Sequence, residues 1–230
     1  MLFNIGILVI FGLGCLIGWY KGFLNTLFNI ISFFISWLTA FVFHTPLSSW
    51  LINIPDMQKN LLYFTAGTEK LSDMTVINVD TATLTGERIH DIIYSSDIPP
   101  HFASKLEYNV LNQTFADQGI YTMGEYFNQT FINLALSLLS FLIIYFVVRI
   151  ICSFLIELCD KTFRFPVLKK ADSPIGALFG IMYGFMIVTV IFSIIPLVFT
   201  IIDLPDVVKY MNESPIAVFF YSNNIISNIL

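Results

Sequence analysis

Four long apolar runs, at residues 2–20, 23–43, 131–156 and 175–202, dictate what this chain can become. Each meets the requirement of about 20 apolar residues for a helix crossing the ~30 Å hydrocarbon core of a bilayer. Concentrated runs of this kind cannot be spread through one soluble core. Charged residues make up only 12% of the chain, about half the ~25% usual for a soluble domain. The expected fold is therefore an all-α membrane protein with four transmembrane helices arranged as two hairpins. The last two runs exceed the bilayer core at ~1.5 Å per residue, so they must tilt, kink or protrude. Pro196 offers the fourth a place to kink. The first run has no basic residues before it, and the second follows within three residues, so an uncleaved first helix is expected rather than a secretory leader.

The expected organisation is a first hairpin over residues 1–43, an acidic extracytoplasmic helical insert over 44–130, a second hairpin over 131–202, and an outer interfacial helix within 203–230. Basic residues near the helix ends set the orientation. Lys21 lies between the first two runs; Lys161, Arg164, Lys169 and Lys170 lie between the last two. Both hairpin tips are therefore expected in the cytoplasm, with the N-terminus, the insert and the C-terminus outside. Between Asp56 and Glu125 the insert has ten acidic residues and four basic ones. Ile89, Ile92 and Ile93 fall at helical spacing. Asp97 followed by Pro99 and Pro100 predicts a helix start, continuing through Phe102, Leu106 and Val110. The stretch from Val76 to Leu84 is expected as a short strand or an extended loop.

Several chemistries find no support. A net charge of −5 leaves no basic face for nucleic acid. Cys15, Cys152 and Cys159 sit in or beside apolar runs, as inert thiols. His44, His90 and His101 lack metal-ligand spacing. Nucleophile-elbow, zincin and phosphate-loop motifs are missing as well. No catalytic, metal or cofactor residue is expected, and the chain reads as a non-enzyme.

What stands out instead is a repeat. Gly14, Gly18 and Gly22 and then Gly176, Gly180 and Gly184 both follow the pattern Gly-x3-Gly-x3-Gly-Phe. Glycines four apart make a flat strip on which another helix backbone can approach closely. Gly22, after Lys21, is expected to serve the tight turn, where a left-handed backbone costs glycine little. Each repeat leads on to a cap-plus-proline sequence, Thr45-Pro46 and Ser214-Pro215, so each hairpin is expected to end in an outer interfacial helix. Polar residues Asn25, Asn29, Ser32, Ser36 and Thr39 form a seam on the second run. Asn133, Ser137 and Ser140 share a face of the third. Such seams hydrogen-bond between helices or line a wet path. Arg149 is the one charge at membrane depth, near the cytoplasmic end, where it is expected to snorkel to the interface.

The segment Gly14-x3-Gly18-x2-Lys21-Gly22-Phe23, with the later glycine triplet and the tail from Ser214 to Tyr221, resembles the colicin V production protein (CvpA) family. The likeness covers both hairpins and the tail. The long acidic insert is similar to that of Gram-positive relatives, and Tyr183 replaces the basic residue common before the last glycine. The resemblance implies a multi-pass protein of the bacterial inner membrane linked to toxin production or envelope maintenance. The expected role is a membrane scaffold or accessory protein. Its surroundings would be the lipid bilayer, a membrane or extracytoplasmic protein partner, and further copies of itself as a homo-oligomer. A small channel or transporter using the polar seam is the alternative, although the four runs contain no carboxylate to support it.

Overall fold

A computed structural model describes residues 2–65, 67–96, 98, 100–162, 172–201 and 205–223. Its helices are α1 (Leu2–Lys21), α2 (Phe23–Ile52), α3 (Met57–Thr65), α4 (Gly86–Tyr94), α5 (Pro100–Leu111), α6 (Met123–Thr162), α7 (Asp172–Ile201), α8 (Pro205–Asn212) and α9 (Pro215–Ser222). Helices α1, α2, α6 and α7 are long and apolar enough to cross a membrane. The all-α membrane fold is thus as expected, and no strand occurs among the described residues. Residues 74–84 include two single 3-10 turns, Met74–Val76 and Thr81–Thr83, with an isolated bridge between Asp80 and Thr122.

Two helix ends differ from expectation. α2 runs on through Pro46 to Ile52 rather than ending before a separate helix. Proline removes the donor that would have met the Val42 carbonyl, yet the helix continues, with side-chain bonds to the flanking Phe41 and Thr45 carbonyls. His44 Nδ1 lies 2.7 Å from the Phe41 carbonyl, while Ser48 and Ser49 donate to the Thr45 carbonyl at 3.0 and 2.9 Å. α6 begins at Met123, eight residues before the apolar run, because its first turns belong to a soluble-type core.

The chain folds as two compact units. The first comprises residues 1–44, 140–195 and 204–226. Here α1 turns Ile7, Gly14 and Gly18 inward and leaves Leu8, Leu13, Leu16 and Ile17 exposed on a lipid-type surface. α9 packs on α1; Ser214 donates to Asn4 Oδ1, and Phe220 reaches Phe185 and Phe192 at 5.0 and 5.7 Å. On α2, the buried residues Thr26, Ile30, Phe33 and Ala40 recur at helical spacing, and Phe33 meets Tyr145 of α6 edge-on at 5.7 Å.

The second unit is centred on residues 45–139. Ile89, Ile92 and Ile93 of α4 and Phe102, Leu106 and Val110 of α5 are all buried, as their spacing predicts. They close over Met123, Tyr126, Phe127 and Phe131 at the start of α6. Each such aliphatic side chain contributes about 1.5–3 kcal/mol by leaving water. Thr85 caps α4 by accepting from the Arg88 amide. Arg88 reaches back to Asp73 at 3.5 Å, and Ser72 donates to the Ser95 carbonyl, tying the segment's entrance to α4.

Candidate functional site

The repeated glycines of the first unit face one another. A Cβ built on Gly14 would stand 3.3 Å from the Gly180 carbonyl carbon, and one on Gly180 would stand 2.9 Å from that of Gly14. Gly18 pairs with Gly176 in the same reciprocal way: a Cβ on Gly18 would lie 2.8 Å from the Gly176 carbonyl carbon. α1 and α7 therefore cross antiparallel, backbone against backbone, with no room for a side chain. Gly184 is looser, its added Cβ meeting Phe11 and Ile10 at 3.3 Å. Gly12, outside the motif, has nothing within 4 Å of such a Cβ.

Gly22 performs the turn expected of it, at φ +82°. It also lies against Asp172, whose carboxylate accepts from the Phe23 amide at 2.8 Å. A residue at the head of α7 thus caps the head of α2, satisfying one of its orphan donors. The link holding Lys21 and the start of α7 therefore sit side by side. Asp172 carried no sequence signal for this, because its partner is 149 positions away.

The guanidinium of Arg149 is held between helices. Nη1 donates to the Asn29 carbonyl at 3.2 Å and to Ser32 Oγ; Nη2 donates to Asn29 Oδ1 at 3.0 Å and to the Tyr183 hydroxyl at 2.6 Å. Its Cζ stands 5.4 Å from the centre of the Tyr183 ring, within cation–π range. α2, α6 and α7 meet at this one side chain. The polar seam is only partly interhelical. Asn29 and Ser32 serve Arg149, whereas Asn29 also donates to Asn25, Ser36 to the Ser32 carbonyl and Thr39 to the Ile35 carbonyl, all within α2. Asn133 accepts from Gln129, one turn earlier on α6, at 3.4 Å. Ser140 Oγ is buried without a hydrogen-bond partner among the described residues. Tyr183 was legible only as a departure from the family's basic residue; in the fold it accepts from a charge that α6 supplies.

Four apolar spans, a close glycine crossing and an intramembrane arginine bonded by its neighbours define a multi-pass helical membrane protein. The chain belongs to the Colicin V production protein family, whose profile matches residues 3–75 and 111–224. No curated protein and no solved structure matches it. The unmatched residues, 76–110, hold α4 and nearly all of α5.

Proposed function

We propose that this protein is a non-enzymatic scaffold or accessory protein of the bacterial inner membrane, serving toxin production or envelope maintenance by binding a protein partner. The observation that carries this reading is Arg149. Four of its N–H bonds are spent on acceptors fixed in α2 and α7. A cation engaged in this way suits a rigid bundle better than an ion path, in which charges must exchange partners. The glycine crossing adds to that rigidity, since backbones in contact cannot slide apart without losing their packing. Both hairpin tips are cytoplasmic in this reading, with the insert and both termini outside. Lys21 in one link, with Lys161, Arg164, Lys169 and Lys170 in the other, supports that orientation.

A second reading, a small conduit, draws on one observation. Ser48, Ser49, Asn133 and Ser137 line a cavity of about 260 Å³ in the second unit. Crosslinking in native membranes with identification of bound proteins separates the two. A reproducible partner is expected; finding only copies of this chain, together with solute flux in proteoliposomes, would reverse the choice.

A further inference from the structure

The second unit holds a cavity of about 500 Å³, the size of an ordinary ligand pocket. Its apolar walls are aliphatic, formed by Ile52, Ile54, Leu62, Ile120 and Ile132, and Asp56, Lys59 and Glu125 add charge to the lining. None of its lining residues is aromatic. Between these walls stand three side-chain amides with unused hydrogen-bonding capacity. Asn128 Oδ1 accepts from the Thr68 amide at 3.0 Å, and its NH2 group makes no bond among the described residues. Gln58, which is exposed, donates to Gln129 Oε1 at 3.3 Å, and its own carbonyl oxygen has no protein partner among the described residues. Gln129 is 6% exposed, and both of its bonds are long, the second to Asn133 at 3.4 Å. The turn forming one rim passes through Asp56 at φ +62°, a left-handed conformation that aspartate tolerates better than most side chains.

An open amide donor and an open amide acceptor between aliphatic walls complement a peptide main chain carrying aliphatic side chains. We propose that this cavity binds an extended, aliphatic segment of a protein partner. Asn128 and Gln58 bond its main chain, and the isoleucines receive its side chains. A phospholipid is the poorer match, because its tails cannot use the amides. The proposal deepens the accessory reading by stating how the partner is held.

The test passes a randomised hexapeptide library over the full-length protein in nanodiscs and sequences what is retained. Retained peptides are expected to be rich in Val, Ile and Leu. The best of them, dye-labelled, should bind at least tenfold more weakly to Gln58→Leu and to Asn128→Leu. Gln58 is exposed on α3, so Gln58→Leu should fold even if Asn128→Leu, which loses the Thr68 bond, does not. Retention of no peptide, or equal binding by Gln58→Leu and wild type, overturns the proposal. So does labelling of α3 by a photoreactive phospholipid that Gln58→Leu abolishes. If crosslinking in membranes still recovers a partner in those cases, the site fails and the accessory reading stands. Peptide retention that Gln58→Leu weakens, without any crosslinked partner, upholds the site and removes the accessory reading.

Discussion

Gly14 and Gly180 lie so close that a single methyl carbon on either would press into the other's peptide unit. Gly180→Leu should therefore lower thermal stability in detergent by at least the 1–3 kcal/mol, roughly, of an overpacked interior. Leucine is more apolar and a better helix former than glycine, so membrane insertion should be normal. Gly12→Leu is the control, since its site is open, and should be near neutral. Equal melting of the two variants would sink the packing account.

The turn before α2 gives a second comparison. Gly22 and Gly119 both have positive φ, at +82° and +76°. A Cβ on Gly22 would stand 2.8 Å from the Asp172 carboxyl carbon, whereas one on Gly119 meets nothing within 4 Å. Gly119→Ala should cost only the left-handed backbone term, about 1–2 kcal/mol. Gly22→Ala should cost more, because the cap on Phe23 must also move. Chemical denaturation in mixed micelles measures both.

Arg149 and Tyr183 should be energetically coupled. A double-mutant cycle of Arg149→Met and Tyr183→Phe is expected to be non-additive by about 0.5–3 kcal/mol, the range for residues in direct contact. Additive losses would mean that the bond at 2.6 Å contributes nothing.

Ser140 offers a gain. Its hydroxyl is fully buried and lacks a hydrogen-bond partner among the described residues. Replacing an orphaned buried polar group removes its desolvation penalty, about 1–3 kcal/mol. Ser140→Ala should raise the melting temperature; a fall would show that the hydroxyl has a bond the fold conceals.

Topology can be read with single cysteines at Lys21 and Asp91, both exposed, in a background lacking Cys15, Cys152 and Cys159. A membrane-impermeant thiol reagent on intact cells should label only the Asp91 position. Asp172 is unsuitable as a reporter because it caps Phe23. Labelling at Lys21 would invert the proposed orientation.

The spans were legible because hydrocarbon imposes a length and a composition that survive any packing arrangement. So were α4 and α5, whose isoleucine, phenylalanine and leucine spacing already marked a buried face. Gly14, Gly18, Gly176 and Gly180 announce close approach, but spacing alone cannot say that the two motifs meet each other. The partners of Arg149 were not legible, because depth along a helix says nothing of what neighbours offer. Asn29, Ser32 and Tyr183 surround it through contacts 34 to 120 residues distant in sequence. Pro46 misleads because one missing main-chain donor does not end a helix whose other bonds persist on both sides of it.

Residues 76–110, the stretch outside the family match, are tied into the core of the second unit. Tyr126, Phe127 and Phe131 are at most 2% exposed, and α4 and α5 help to cover them. Excising the stretch would bare an aromatic face on a helix that otherwise continues into the bilayer. A descendant that discarded the insert would have to recolour those α6 positions with polar residues in the same step.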